Sequence, residues 1–132
     1  MNSAQISGNL TRDVEIVETK SEWSILKFTI ANNDESVKNS DGTWDNVTSF
    51  FDIELLTNHP QSMIRGLIKG ASVVIHDAKL KQQTWEKDGN KRSKVLLSVK
   101  TSRPWENILF IAKKGEAVQT VAQEKPLDDV PF

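Results

Sequence analysis

The sequence predicts an all-β protein that closes into a small barrel, and three observations support this. Apolar and polar residues alternate with a period of two in several segments of the first hundred residues, which is the pattern of strands with one buried face. Only one short segment in that part has the apolar spacing of a helix. Turn-forming residues separate the segments, and 132 residues suffice for one domain with a buried core.

Three strands are predicted before the helix. The alternation is found at 4–10, 26–31 and 50–56. A short extended piece at 13–19 follows the first of them. The polar segment 32–46 contains an Asp-Gly pair and predicts a long hairpin loop.

The helix and two more strands complete the predicted domain. Residues 60–69 predict the helix, because a proline suits its first turn and its four large apolar residues fall on one face. Gly70 is expected to end it. Strands follow at 73–85 and 94–100, joined by a turn at 87–90. Three strands, a helix and two strands form the order of the OB-fold, a five-stranded Greek-key barrel with its helix between strands 3 and 4.

Composition excludes several classes of function. The chain has no cysteine, which excludes disulfide scaffolds, thiolate zinc sites and cysteine nucleophiles. His59 and His76 are its two imidazoles, too few to indicate a metal site. No motif of a serine hydrolase, zinc protease, P-loop protein or dinucleotide-binding enzyme occurs. We therefore expect a protein that is not an enzyme and needs no cofactor and no metal.

Two further features that the sequence lacks bear on where in the cell the protein is expected. No apolar run approaches the length of a membrane-spanning helix, and the first ten residues have neither the basic nor the apolar region of a signal peptide. We expect a cytoplasmic, nucleoid-associated protein with no membrane contact.

The net charge of −1 conceals a separation along the chain. Residues 1–60 carry a net −6, residues 61–100 a net +6 and residues 101–132 a net −1. A basic block is typical of an anion-binding surface, although lysines also solvate the outer faces of strands. Trp85 lies within this block beside a polar turn, where an indole is hard to bury. Exposed rings next to cations are what nonspecific binding of single-stranded nucleic acid requires.

Five short motifs occur in the same order and with the same spacing as in a known protein family. They are ISGNLTRD at 6–13, FTIA at 28–31, KG at 69–70, LKQQTWEKDG at 80–89 and DDVPF at 128–132. Together they resemble the bacterial single-stranded DNA-binding protein (SSB) family, whose acidic C-terminal tip usually ends Asp-Asp-Ile-Pro-Phe. The resemblance implies an OB-fold, usually a homotetramer, that binds single-stranded DNA without sequence preference.

The resemblance also implies a division of the chain. We expect an OB-fold single-stranded DNA-binding domain at 1–101, a linker, partly ordered, at 102–123, and an acidic tip at 124–132 that docks DNA replication and repair proteins. The residues expected to contact those partners are Asp128, Asp129, Val130, Pro131 and Phe132.

The family's DNA face usually carries four aromatic residues, and this chain keeps only part of the set. The first position falls near Ser36 or Val37, so that platform is lost. The second falls on Phe50, the third on Leu56 and the fourth on Trp85. Phe50 points away from the predicted core, so it is either a stacking platform or a subunit contact.

Other departures concern neighbouring residues. Asp52 and Glu54 share the outer face with Phe50 and are unfavourable near phosphates. Trp44 either replaces the lost platform or anchors the predicted loop on the barrel. For Trp23 we favour structural packing. One extra residue between Gly70 and Leu80 predicts a β-bulge at His76 and Asp77.

The expected DNA-binding residues combine stacking groups with cations. They are Trp85, Phe50, Trp44, Leu56, Lys79, Lys81, Lys87, Lys91, Arg92, Lys94, Arg12 and Lys27.

Two alternatives remain open at this point. The thinned aromatic set and the acids suit an OB-fold protein-interaction adaptor, or a primosomal-type paralogue, with weakened DNA binding.

Assembly into an oligomer is favoured, because a monomer is expected to leave outer-face residues such as Leu56 and Leu96 unburied.

Overall fold

Seven strands and one short helix make up residues 1–111, the part of the chain that this computed structural model describes. A single 3-10 turn, Pro104–Glu106, precedes the last strand. In chain order the elements are β1 (Ala4–Leu10), β2 (Glu15–Glu18), β3 (Ser24–Lys38), β4 (Trp44–Thr57), α1 (Gln61–Ile64), β5 (Ser72–Lys87), β6 (Asn90–Lys100) and β7 (Ile108–Phe110).

Five of these strands close into a barrel, which confirms the predicted all-β OB-fold. The sheet order is β1-β3-β4-β6-β5, and β1 pairs with β5 as well, which closes the ring. All of these pairs are antiparallel except β4–β6. Gly8 allows β1 to cross closely over β3, because a Cβ atom there would lie 2.6 Å from the carbonyl oxygen of Ala31.

The core consists of the side chains that alternate inward along these strands. The predicted alternation is therefore confirmed for most of its members, and the buried set includes Leu10, Leu26, Phe28, Ile30, Ile53, Leu55, Val73, Ile75, Leu97 and Val99.

The predicted loop at 32–46 is wrong. β3 and β4 stay paired as far as Lys38 and Trp44, and only the five residues between them turn the chain. The Asn39 N–H donates to the Thr43 carbonyl at 2.7 Å to close that turn. A two-stranded ribbon that projects beyond the barrel has no buried face, so its strands show no apolar alternation.

The predicted helix is wrong in its extent, since only Gln61–Ile64 are helical. Beyond it the backbone bonds to a distant segment. The Val14 N–H donates to the Leu67 carbonyl at 2.9 Å, and the Lys69 N–H donates to an Asp13 carboxylate oxygen at 2.8 Å. These bonds replace further helical turns.

Two residues assigned to that helix have other roles. Ile68 was expected on its buried face but is 51% exposed. Gly70 was expected to end the helix. It has a positive φ of +88°, but no helix ends there, and its N–H donates to the Leu10 carbonyl.

The local features predicted for β5 are confirmed. His76 lies in this strand. Asp77 has a φ of 59°, and the β1–β5 register shifts there by one residue, as a bulge requires. Asp88 and Gly89 both have positive φ and join β5 to β6 as a two-residue turn.

Order continues beyond residue 101. β7 pairs with β5, and its Ile108 belongs to the core. Leu96 is fully buried in the single chain, so the expectation that it is left unburied is wrong. β6 has a strand on each side, and Leu96 lies directly opposite the long side chain of Lys81.

Residues 1–111 lack both a membrane-spanning helix and a cluster of metal-ligating side chains. The helical segments there are all too short or too polar to cross a bilayer. The same residues contain no group of three or more His, Asp and Glu arranged to hold a metal ion.

Candidate nucleic-acid interface

The outer side of β3, β4, β6 and β5, away from the core, is called the sheet face here. Side chains alternate across a sheet, so the registers identify the residues that share this side. They include Lys27, Thr29, Phe50, Asp52, Glu54 and Leu56 on β3 and β4, and Lys79, Lys81, Gln83, Trp85, Lys87, Arg92, Lys94, Leu96 and Lys100 on β5 and β6.

Trp85 is a partly exposed ring within a basic hairpin. It pairs with Arg92 across the β5–β6 ladder and is 43% exposed. Both residues line a surface depression of about 430 Å³, whose wall also includes Glu86 and Lys91. An indole beside a guanidinium offers a base a stacking surface and a phosphate partner together.

Phe50 is the most exposed aromatic ring within the barrel part of the sheet face, at 65%. β4 and β6 run parallel, which places Phe50 toward the same end of the sheet as Lys94 and Trp85. The two predicted platforms therefore share one side and one end of the sheet.

The cations predicted around Trp85 do not all lie on its side. Lys79, Lys81 and Lys87 alternate with it along β5 and share the sheet face. Lys91 pairs with Glu86 across the ladder, so both point to the opposite side. Although it points to that side, Lys91 lines the same surface depression as Trp85 and Arg92.

Asp52, which seemed unfavourable near phosphates, is held by three groups. The Thr29 hydroxyl donates to one carboxylate oxygen at 2.8 Å, and the Lys94 ammonium lies 3.2 Å from the other. Burial raises the pKa of this carboxyl, but the hydrogen bonds from Thr29 and Lys94 and the charges of Lys94 and Arg12 outweigh burial and hold the pKa below its ordinary value. Asp52 is therefore ionised at neutral pH, and Lys94 compensates its charge.

The remaining acid and cations of this region are also close together. The Gln83 side-chain amide donates to a Glu54 carboxylate oxygen at 3.5 Å. Lys27 is half-buried and directly opposite Glu54 in the β3–β4 ladder. Arg12 is near enough to Asp52 to lower its pKa. Both of these predicted phosphate contacts therefore lie beside an acid.

Trp44 is at the far end of the β3–β4 ribbon. It is 64% exposed, and the Lys38 ammonium lies 6.0 Å from its ring centroid. The interpretation of Trp44 as an anchor packed on the barrel is therefore wrong. By alternation it lies on the side of β4 that carries Phe50, about 20 Å along the strand.

Leu56 lies at the other end of the sheet face and is half-buried. Its neighbour there is Trp23, a residue that the sequence favoured as structural packing. Both line a depression of about 470 Å³, and the Lys100 ammonium is 5.9 Å from the Trp23 ring centroid. Lys100 follows Trp23 by 77 positions in the chain, so only the fold reveals this pair.

The predicted partner-binding tip, Asp128 to Phe132, lies outside the described residues.

Comparison with known proteins gives a consistent result. Residues 1–105 match the model of the Single-strand binding protein family. The chain is 32% identical to the single-stranded DNA-binding protein of Borreliella burgdorferi, over all of this chain and 98% of that protein. It is 31% identical to the Treponema pallidum protein of the same name, over 88% of this chain and 64% of that one.

Solved structures show the same fold. A Plasmodium falciparum SSB complex with ssDNA superposes with a TM-score of 0.69 at 15% identity, over 85% of this chain and 96% of that chain. The wild-type single-stranded DNA binding protein from Thermus aquaticus gives 0.66 at 25% identity. That match covers 87% of this chain but only 52% of the Thermus chain, so this chain spans about half its length.

Proposed function

The chain belongs to the single-strand binding protein family, and from this membership we propose that it binds single-stranded DNA without regard to base sequence. The observation that carries the proposal is the position of two exposed rings, Trp85 and Phe50, on the sheet face. The same face bears Lys79, Lys81 and Lys87, which are called the basic ladder here. Bases stack on such rings whatever their identity, because every base has a π face.

The proposed mode of binding needs no catalysis. Lys79, Lys81, Lys87 and Arg92 follow the phosphates, and Trp85 and Phe50 take the bases. Within residues 1–111 there is no long helix that could enter a major groove and read base edges. Coating the strand in this way protects it and prevents it from pairing during replication, recombination and repair.

The proposal extends to the C-terminal tip. In this proposal Asp128 and Asp129 bind a basic pocket of the partner, and Val130 and Phe132 are the apolar anchors. Prolines at 126 and 131 restrict the segment, which lowers the entropy cost of docking. We expect its partners to be DNA replication and repair proteins.

The proposal also includes assembly into a homotetramer. Large apolar side chains are exposed on the single chain away from the sheet face, among them Leu80, Val95, Leu109 and Ile111. Light scattering on the full chain is expected to give four times the chain mass. A monomer mass would contradict this part of the proposal.

The binding proposal is tested with labelled oligo-dT and a duplex of equal length. We expect indole fluorescence to fall on addition of oligo-dT and the duplex to bind far more weakly. Equal affinity for the two, or no binding of either, would contradict the proposal, and absence of binding would favour the adaptor alternative.

The tip is tested by deleting residues 127–132. Deletion is expected to abolish recovery of replication and repair proteins in a pull-down. DNA binding should stay equal or become slightly tighter at low salt, because a negative segment that competes with phosphates is gone. Unchanged recovery of partners, or a large loss of DNA affinity, would show that the tip is misassigned.

A further inference from the structure

We propose that Trp23, Leu56 and Lys100 form a further nucleobase-stacking subsite, at the end of the sheet face opposite to Trp85. This inference rests on the proposed binding of single-stranded DNA and extends it. Its ligand is an unpaired base, with the adjoining phosphate held by Lys100.

The strand registers place these residues together on the sheet face, the side that carries Trp85 and Phe50. Leu56 pairs with Ile25 on β3 and with Lys100 on β6, so all three side chains point outward at one level. Trp23 immediately precedes β3 and has the alternation of Ile25. Phe50 lies on the same side of β4, about 20 Å from Leu56. A strand that crosses the face from Phe50 therefore reaches this end.

The backbone of Trp23 is fixed by hydrogen bonds within its turn. Its N–H donates to the Ser21 hydroxyl oxygen at 3.1 Å, and its carbonyl accepts the Thr19 hydroxyl. The Ser21 N–H in turn donates to the Thr19 hydroxyl oxygen at 3.2 Å. A ring on a fixed backbone loses less conformational entropy when a base stacks on it than a ring on a mobile loop does.

The space beside the ring suits a base. The depression of about 470 Å³ has apolar walls from Trp23, Ile25 and Leu56 and a cation, Lys100, at its edge. Apolar walls with one charge at the rim match a flat base followed by a phosphate.

Lys100 now occupies the position over the ring that a base would take. Its ammonium is 5.9 Å from the Trp23 centroid, and Lys100 is exposed. An exposed cation–π contact is weaker than base–aromatic stacking, so a base displaces the ammonium. The freed ammonium then binds the neighbouring phosphate, and stacking and charge pairing occur together.

The first test uses the full chain and a series of oligo-dT lengths. Trp23→Ala is expected to lower affinity about five- to tenfold for long oligomers, and to leave the shortest bound oligomer unaffected because it occupies the Trp85 end. Trp23→Phe should retain most of the affinity. Trp105→Ala is the matched control, since Trp105 is partly exposed outside the sheet face, where its ring contacts His59 edge to face.

The second test locates the contact directly and does not depend on how Trp23→Ala folds. Oligo-dT that carries 5-iodouracil is photo-crosslinked to the wild-type chain, which is then digested with trypsin. We expect a crosslink in the peptide of residues 21–27, which contains Trp23. Its absence, with crosslinks to Trp85 present, would overturn the subsite.

The outcomes separate this inference from the proposed function. If the wild-type chain does not bind oligo-dT, the proposed function fails. If it binds, and Trp85→Ala weakens binding while Trp23→Ala and Trp23→Phe behave as wild type at every length, only the subsite is wrong.

Discussion

The two long ribbons of the molecule differ in charge by equal and opposite amounts. The β3–β4 ribbon, residues 24–57, carries a net −4, and the β5–β6 ribbon, residues 72–100, a net +4. On the sheet face the acids of the first ribbon are held by groups of the second, since Lys94 pairs with Asp52 and Gln83 donates to Glu54. The formal charge of a segment therefore says little about the face it presents, and the register decides which charges meet.

Each ribbon also carries an exposed tryptophan beside a cation, but in different surroundings. Trp85 pairs with Arg92 among several cations of its own ribbon. Trp44 has Lys38 over its ring and Asp45 next to it in the chain. We expect the basic ribbon to contribute most of the binding energy and Trp44 to be a secondary contact.

The largest effect is expected from removing the basic ladder. Lys79, Lys81 and Lys87 are changed together to Gln, which should reduce oligo-dT affinity roughly a hundredfold at 0.1 M salt and lower the slope of log K against log salt by about 2, since each phosphate contact to a single strand adds about 0.7. Titrations at three salt concentrations measure both.

The matched control for that variant is Lys91→Gln. Lys91 belongs to the same hairpin but points to the opposite side. Its change should leave the slope within about 0.2 of wild type. A loss of slope per lysine equal to that of the triple variant would show that the two sides of the ribbon do not differ.

Trp85→Ala removes the ring and leaves the charges in place. We expect a loss of about 1–3 kcal/mol in oligo-dT binding with an unchanged salt slope. The fold should persist, because Trp85 is outside the buried core. Thermal unfolding checks the fold, and a variant that no longer folds would mean that Trp85 is a structural residue.

Asp52→Asn removes one negative charge from the β3–β4 ribbon. The amide can still accept the Thr29 hydroxyl, while Lys94 loses its ion pair and becomes available to a phosphate. We expect about a two- to fivefold gain in affinity at 0.1 M salt. Asp45→Asn is the control, because Asp45 alternates to the other side of β4, and a gain of equal size there would reduce the effect to net charge.

The smallest effect concerns the acid stability of the same contact. The pKa of Asp52 is lower in the folded chain than its ordinary value, so its contribution is present above the unfolded pKa of about 3.9 and is lost as pH falls through the folded pKa. Its side chain is 43% exposed, and solvent screening keeps the contribution below about 1 kcal/mol.

Urea unfolding of wild type and Asp52→Asn measures this contribution. Any advantage of the wild type at pH 7 should shrink as the pH falls below the unfolded pKa of about 3.9. An advantage that grows toward acid pH would mean that the sign of the pKa shift is wrong.

The barrel was predictable because its strands bury one face. Burial imposes the period of two that predicted β1, the first half of β3 and the second half of β4. The outer half of the β3–β4 ribbon has water on both sides, so its sequence carries no such signal. The short length of α1 was unpredictable for another reason. The residues after it, Leu67 and Lys69, form hydrogen bonds with Val14 and Asp13, which lie more than 50 positions earlier in the chain.

The site was predictable where a local rule fixes it. Trp85 follows from its position beside a two-residue turn, and that turn also fixes the register, so the outward position of Lys87 and the opposite position of Lys91 could have been read from Asp88-Gly89. The pair Lys94–Asp52 joins the two ribbons, and the pair Lys100–Trp23 joins the β5–β6 ribbon to the residue before β3. No spacing in the sequence identifies such pairs.

The central claim is that DNA occupies the sheet face and not the other side of the basic ribbon. Lysine acetylation of the full chain, with and without saturating oligo-dT and read by mass spectrometry, tests it most directly, because neighbouring lysines of one hairpin lie on opposite sides. We predict that oligo-dT protects Lys79, Lys81 and Lys87 and leaves Lys91 as reactive as in the free protein. Equal protection of all four, or protection of Lys91 alone, would contradict the account.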